Sequence, residues 1–429
     1  MRSKLRPTRM RDKESNEVIF YEFYREVCPI CKKSGACMIH KDGEKVVCIR
    51  TESKYPFAKN SACPGWMHFL KGDKQRKIDP TIQESSGANK KDNALLNRVY
   101  GTLIKNLTLD EDHRVHLRSE SRQLSDEQIQ LRQYRSFPDK PWTIVNEMSK
   151  ELNIQDFEGI PGFYLSEGRY GDYFTMHGMK GIMIPFRNHY NEIVGFQYRI
   201  DKPYNMVEVN VRKEGMDAKI IKQPNIVQVT YHNKTLFQGE VALGEPLKPI
   251  ADEDGEIVGF FRLKRGKRYF WFSSANKLKG TGSGDPAPVH VSVPSHKLKE
   301  WKAGELYKTK TAWLGEGPLK GDITTDLIHK LYDSKEIQDI GDCILSLPGV
   351  GAWRLAIPVF QQMGVEMVNI CFDMDANDNP LVKTHLLQLI AALKKEGMHA
   401  RLILWDKKDG KGIDNLYISQ KFPKMKVLF

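Results

Sequence analysis

Three short stretches carry the residues best suited to chemistry. Trp313-Leu-Gly-Glu316-Gly317-Pro and Ile370-Cys-Phe-Asp373-Met-Asp375-Ala are apolar runs that stop at acids, and Gly410-Lys411-Gly-Ile-Asp414-Asn follows them. In an open parallel sheet such runs are buried strands, and groups at their carboxyl ends meet in one crevice. Glu316, Asp373 and Asp375 are therefore expected to converge although they lie far apart in the chain. Asp373 and Asp375 are two residues apart and point to the same side of extended backbone. Clustered carboxylates repel one another unless a hard cation joins them, and Mg²⁺ or Mn²⁺ takes such oxygen sites. The chemistry expected is phosphoryl transfer on one or two divalent metals. Asp-x-Asp alone is common on loops, and Glu-Gly after a strand is weaker still, so order and context carry this reading.

A second constellation lies near the N-terminus. Of seven cysteines, five fall between residues 28 and 63. A tight cysteine cluster in a chain without a secretory apolar core reads as a metal site rather than as disulfides. Cys28-Pro-Ile-Cys31 is a knuckle that aims two thiolates at one Zn²⁺. Met38 to Arg50 reads as a hairpin turning at Lys41-Asp42-Gly43, which sets Cys37 opposite Cys48. The expected ligands are Cys28, Cys31, Cys37 and Cys48; Cys63 and His68, in Cys63-Pro-Gly-Trp-Met-His68, stand as alternatives. A ribbon this small needs its metal to fold. Cys343 and Cys371 are expected to be small buried hydrophobes.

These residues must be positioned by a chain of 429 residues, a length that suggests two to four domains. Its 40% hydrophobic content suffices for packed cores, and no apolar run has the length of a membrane span. No apolar core follows the basic N-terminal residues, so a cytoplasmic protein is expected. The net charge of +12 favours a polyanion partner through counterion release. Arg50, Lys54 and Lys59 with Tyr55, Phe57 and Trp66 interleaved suit single-stranded DNA; Trp66 reads better as packed under the ribbon.

Residues 1–24 form a basic tail, 25–70 the zinc ribbon and 71–93 a polar, flexible linker. Apolar spacing predicts a helical unit over 94–158. Its helices run from Ala94 to Leu107, from the capping box Ser125/Gln128, and from Trp142 to Leu152. His113 and His116 read as part of a solvated helix face. Residues 159–305 read as a β-rich basic subdomain. It contains the hairpin Gly181–Arg187/Glu192–Arg199, further strands such as Ile226–Tyr231 and Ile257–Leu263, and Lys267-Arg268-Tyr-Phe-Trp-Phe-Ser-Ser274. The loop Gly280-Thr-Gly-Ser-Gly-Asp-Pro precedes no clear helix and reads as a mobile loop rather than a phosphate cradle. Residues 306–429 read as an α/β domain with a parallel sheet. The fold class expected is thus a multidomain α+β protein.

The succession strand-Glu-Gly, helix, Leu347-Pro-Gly-Val-Gly351, strand-Asp-x-Asp, helix, strand and Lys411-Gly-Ile-Asp414 resembles the toprim domain. That domain is shared by bacterial replicative primases of the DnaG type, type IA and type II topoisomerases and some nucleases. Replicative primases have an Asp four residues after the Glu, where this chain has Lys320; the nearest acid is Asp322. Ile184-Pro-Phe-Arg187 with Ile193-Val-Gly-Phe-Gln-Tyr-Arg199 resembles the primase segment before toprim, and Lys267-Arg-Tyr269 with Ser273-Ser274 resembles their Lys-Tyr-x-Asn-Ser. Glu316-Gly-Pro-Leu-Lys320, Asp-x-Asp and Lys-Gly-Ile-Asp together are most similar to an uncharacterised toprim-bearing family of plasmids, phages and integrative elements.

The resemblance implies a DNA primase that makes short RNA primers on single-stranded DNA from nucleoside triphosphates. Glu316, Asp373 and Asp375 would hold the metal, with Asp414 as an auxiliary catalytic group. Arg187, Arg199, Lys267, Arg268, Lys320 and Lys411 would contact template or nucleotide phosphates. No Gly-x-x-x-x-Gly-Lys-Ser/Thr motif is present, so a separate replicative helicase is the expected partner. The other readings are a toprim nuclease and a non-catalytic single-strand binder.

Overall fold

The computed structural model describes residues 5–8, 10, 17–24, 26–33, 35–57, 64–70, 89–169, 171–275, 277–284, 287–374 and 380–429, the residues at 380 and 381 by backbone alone. Asp375, Cys63, Lys59, most of the basic tail and the linker residues 71–88 lie outside the described residues. The chain forms two compact units. One comprises Met1–Phe57, Gly65–Ser85 and Ile200–Phe270; the other comprises Ala58–Pro64, Ser86–Arg199 and Trp271–Phe429.

The first unit is built from β-structure among its described residues. An antiparallel sheet runs in the order Arg6–Pro7, Phe20–Glu22, Met38–His40, Lys45–Cys48, Gly65–Phe69, Pro56–Phe57. The expected hairpin is present: Met38 pairs Val47 and Ile39 pairs Val46, and Gly43 makes the turn at a φ of 73°. Val18, Tyr21, Phe23, Ile39 and Val46 form its small core together with Cys28, Cys37 and Cys48. Trp66 is buried, as its apolar setting suggested. Residues 200–270 add two three-stranded antiparallel sheets, Met206–Val211/Ile257–Lys264/Lys248–Ala251 and Met216–Lys222/Ile226–Tyr231/Lys234–Glu240. Val211, Met216, Val229, Val258 and Phe261 from both sheets share one core, against which Val27 packs.

The stretch 159–305 is therefore not one body. Its middle groups with the ribbon and its ends with the second unit. Alternation of apolar and polar residues marks a strand but not which sheet or unit the strand joins.

In the second unit, helices Asn93–Asn106, Glu111–Arg118, Asp126–Arg132 and Pro141–Leu152 form the helical region. Ser125 and Gln128 make the expected capping box. His113 is buried, with Nδ1 2.6 Å from Ser136 Oγ; the helix turns this histidine inward with Leu117, contrary to the solvated face expected. Residues 280–283 of the Gly280 loop are likewise packed rather than mobile in character. Thr281 is fully buried, its Oγ1 accepts from Gly159 N at 3.0 Å, and its N–H donates to Ser274 Oγ at 2.9 Å.

The C-terminal part is a six-stranded mixed sheet in the order His290–Ser292, Cys343–Leu347, Thr311–Glu316, Met367–Ile370, His399–Leu404, Lys424–Val427. The four inner strands are parallel and the two outer ones antiparallel. Trp313, Ile344, Leu345, Val368 and Ile370 are buried, the near-continuous apolar reading of strands covered on both faces. Cys343 and Cys371 are buried among them. Among the described residues no helix is long and apolar enough to cross a membrane.

Candidate active site and metal centre

Glu316 ends the strand Thr311–Glu316, and Asp373 follows the strand Met367–Ile370. The two strands are parallel neighbours with Leu314 opposite Ile370, so both acids leave the sheet at the same end. The strand Cys343–Leu347 lies on the other flank of Thr311–Glu316. The chain thus reverses its progress across the sheet at this pair, and open α/β sheets bind ligands outside the carboxyl ends of strands at such a point.

Gly317 turns the backbone at a φ of 83°, and Pro318 starts the helix Pro318–Leu331. That helix returns Lys320 to the strand ends. Its Nζ lies 2.6 Å from Oδ1 and 2.6 Å from Oδ2 of Asp373. Glu316, Lys320 and Asp373 line one small cleft with Ser346 and Cys371 at its wall.

Asp414 sits in the first turn of the helix Ile413–Ile418 and is 1% exposed. Arg122 donates to its Oδ2 at 3.0 Å from 292 residues away. Its Oδ1 is buried without a hydrogen-bond partner. Burial raises the Asp414 carboxyl above its ordinary pKa; Lys320 and Arg122 pull it down, and Asp373 pushes it further up. Met374 N donates to Lys411 O at 3.2 Å, which ties the Asp373 loop to the loop before Asp414.

Gly412 stands between these groups. A Cβ there would meet Asp414 Oδ1 at 2.6 Å, Lys320 Nζ at 3.2 Å and Asp373 Oδ1 at 3.3 Å. Its φ of −112° suits any residue, so the missing side chain is a matter of space. Gly412→Ala is expected to lower stability by about 1–3 kcal/mol through overpacking, read as a shift of the urea midpoint; an unchanged midpoint would contradict the crowding.

The set fits a hard cation. Glu316 and Asp373 share a cleft, a buried carboxylate oxygen lacks a partner, and the space at Gly412 is a cradle that one methyl group would fill.

The cysteine cluster forms as expected from the knuckle and hairpin. The ligand atoms of Cys28, Cys31, Cys37 and Cys48 all lie within 4.8 Å of one another. Cys37 Sγ is 3.8 Å from both Cys31 Sγ and Cys48 Sγ. A tetrahedral Zn²⁺ with Zn–S bonds of about 2.3 Å has S···S edges of about 3.8 Å. All four thiols are free of disulfides. Hydrogen bonding from Cys28 and its neighbours, with Arg50 adding to it, holds the Cys31 thiol below its ordinary pKa. Arg50 NH1 lies 3.4 Å from Cys37 Sγ and NH2 donates to Gly35 O at 3.1 Å. His68 instead has Nε2 3.0 Å from Thr51 O, outside the sulfur cluster.

The remaining basic residues are dispersed. Lys267 and Arg268 are exposed in the first unit, Arg199 is half-buried on the strand Ile193–Ile200, and Lys411 is exposed beside Gly412. Arg187 is buried, hydrogen-bonded to Gln133 and to Asn191 Oδ1, and burial lowers its guanidinium to about 10. It is built into the interior rather than offered to a polyanion, which corrects its place among the phosphate contacts. Asp322 is also interior: Arg132 NH1 at 2.7 Å, Tyr134 OH at 2.6 Å and His290 Nε2 at 3.0 Å surround it. Arg122 had no signal in the sequence, because its partner is remote and its neighbours are ordinary polar residues.

Comparison with known proteins adds one family match. Residues 340–423 match the family described as "Domain of unknown function (DUF3854)". No curated protein matches the chain. Among solved structures, the chain is similar to the zinc-binding and RNA polymerase domains of the Aquifex aeolicus primase, at 10% identity and a TM-score of 0.39, over 95% of this chain and 79% of that one. It is similar to a DNA primase domain from Pseudomonas aeruginosa at 11% identity and a TM-score of 0.40, over 76% of this chain and 79% of that one. The RNA polymerase domain of Mycobacterium tuberculosis primase DnaG gives 10% identity and a TM-score of 0.40, over 76% and 79%.

Proposed function

We propose that this chain is a primase-like nucleotidyltransferase that copies single-stranded DNA into short RNA primers, in the replication of a plasmid, phage or other mobile element. One observation carries the reading: Glu316 and Asp373 leave neighbouring parallel strands at the switch point, with the unpartnered Oδ1 of Asp414 and the Gly412 cradle beside Asp373. The toprim-like motif order and the basic charge agree with it.

Glu316, Asp373 and Asp375 would hold Mg²⁺ or Mn²⁺, which supplies charge neutralisation at the nucleotide triphosphate and activation of the attacking 3′-hydroxyl. Asp414, fixed through Oδ2 by Arg122, orients the acidic cluster as an auxiliary. Arg199, Lys267, Arg268 and Lys411 contact phosphates of template or nucleotide, because base choice comes from pairing and the protein needs only the backbone. Zinc bound by the four cysteines makes the ribbon a holder of single-stranded template. A separate helicase exposes that template, and the protein acts in the cytoplasm.

The test is the fate of a labelled single strand incubated with nucleoside triphosphates and Mg²⁺ or Mn²⁺. New short oligoribonucleotides are the expected product. Shortened DNA would transfer the site to nuclease chemistry, and retardation without either product would leave a single-strand binder.

A further inference from the structure

The second unit carries a cavity of about 670 Å³ that shares no wall residue with the acidic cleft. Its floor is apolar because it lies over the core of the C-terminal part. Val289 belongs to that core, and Leu355, Ile357, Val359 and Ala392 pack against it. A volume of this size, with a mostly apolar wall and a few polar groups, is the form of a site for a small organic ligand. The polar groups decide which kind.

Trp353 and Arg354 are neighbours in the wall. Trp353 is 4% exposed, and its Nε1 is buried without a hydrogen-bond partner. A buried indole N–H usually finds an acceptor. Trp301, Trp313 and Trp405 of the same unit each donate to a backbone carbonyl, so Trp353 departs from the pattern. Arg354 is half-buried, with its guanidinium carbon 4.1 Å from the centre of the Trp353 ring. Its NH2 donates to the neutral Gln388 Oε1 at 3.0 Å, and among the described residues no carboxylate pairs with it. Burial lowers the Arg354 pKa. Burial, and then the Arg354 charge, lower that of His385. The other charges of the wall are Lys90, Lys395 and Glu396. Glu396 already accepts from Gln361 Nε2 at 2.8 Å.

A half-buried cation without a counter-charge and a buried donor without an acceptor call for an anionic oxygen group. The aliphatic floor calls for an apolar body. We infer that this cavity is a binding site for a small organic anion, whose apolar body covers Ile357, Val359 and Ala392 and whose anionic group pairs with Arg354, with the Trp353 N–H as a second donor. The inference stands independently of the metal-dependent reading of the cleft.

The experiment titrates the zinc-loaded full-length protein with two fluorescent probes. Anilinonaphthalene sulfonate carries the anion; phenylnaphthylamine has the same rings without it. Wild type, Arg354→Met, Arg354→Lys, Ala392→Trp and Asp373→Asn are compared, each checked for its fold by circular dichroism and urea midpoint. Wild type and Asp373→Asn are expected to bind one sulfonate probe with equal affinity. Arg354→Met is expected to weaken the sulfonate probe about tenfold and the neutral probe less than about twofold, the size expected for one lost charge-assisted hydrogen bond. Arg354→Lys keeps the charge and is expected to retain most of the sulfonate affinity. Ala392→Trp fills the cavity and is expected to abolish the binding of both probes. Absence of sulfonate binding by wild type, or unchanged binding by Arg354→Met and Ala392→Trp, would overturn the inference. Equal losses of both probes in Arg354→Met would reduce the cavity to an apolar groove and overturn it too. Loss of the probe in Asp373→Asn would place the binding at the acidic cleft instead.

Discussion

Cys48→Ser is expected to strip one zinc ion per chain and unfold the ribbon while the rest of the protein persists. Cys48 ends the strand Lys45–Cys48, its sulfur 3.8 Å from Cys37 Sγ. The ribbon's core is a handful of side chains, three of them cysteines. Once the metal goes, those buried thiols must be satisfied by little else, and Arg50 loses the thiolates it faces. Structural zinc contributes about 10–16 kcal/mol of apparent binding energy in small fingers, far more than a core of this size replaces. All α-helices among the described residues belong to the other unit, which has its own cores. Metal analysis should therefore show the loss of zinc, and limited proteolysis should open the N-terminal region, with helical circular dichroism unchanged. Full zinc retention by Cys48→Ser would show that another residue completes the site.

The second large effect concerns Asp322. This carboxylate is 3% exposed and takes hydrogen bonds from Arg132, Tyr134 and His290. Arg187 N donates to His290 Nδ1 at 3.0 Å, so the proton on the ring sits at Nε2 and is given to Asp322. Arg132 is equally enclosed, with NH2 reaching Asp326 Oδ2 at 2.8 Å and Val293 O at 3.2 Å. The cluster joins the helix Asp126–Arg132 to the helix Pro318–Leu331 and to the sheet edge.

Removing Asp322 alone leaves buried Arg132 with Asp326 as its remaining carboxylate and takes the acceptor from Tyr134 and His290, and Asp322→Ala is expected to cost about 3–5 kcal/mol. Arg132→Met with Asp322→Leu should recover part of that loss, because the buried pair leaves together while Asp326 keeps its hydrogen bonds from Ser295 N and Oγ. A double-mutant cycle in urea measures both; an additive cycle would contradict the coupling. Acid supplies a further check. Burial alone would raise the Asp322 pKa, but Arg132, His290 and the Tyr134 hydrogen bond outweigh it and hold the carboxyl well below the usual range. A depressed folded-state pKa adds stability above the unfolded value of about 3.9 and loses it as pH falls below that value. The doubly apolar variant should therefore lose less stability between about pH 4 and pH 2 than wild type.

The parts legible in the sequence were those with local signatures. Apolar runs ending at Glu316 and Asp373 marked the buried parallel strands, and Cys28-x-x-Cys31 with the Asp42-Gly43 turn assembled the sulfur cluster. Ser125 and Gln128 announced a helix start. What escaped depends on partners far along the chain. Nothing near Lys320 says that its ammonium ends on Asp373, and nothing near Arg122 says that it reaches Asp414. Asp322 looked like the nearest substitute acid for the cleft, but a helix turns it to the interior, where Arg132 already waits. Arg187 reads as basic surface in a strand that is buried throughout. The grouping of residues 200–270 with the ribbon was equally hidden, because alternation reports a strand and not its sheet.

The central claim is that the acids at the switch point perform metal-dependent strand synthesis. It is tested most directly by the rate of oligoribonucleotide synthesis on single-stranded DNA, measured against Mg²⁺ concentration for wild type and Asp373→Asn. Asp373→Asn keeps the shape of the side chain and removes the charge. A fall of about 10²–10³-fold, of the size seen when one charge-stabilising group is lost from an active site, with no rescue by added Mg²⁺, is the result expected. Synthesis by Asp373→Asn at the wild-type rate would contradict the account.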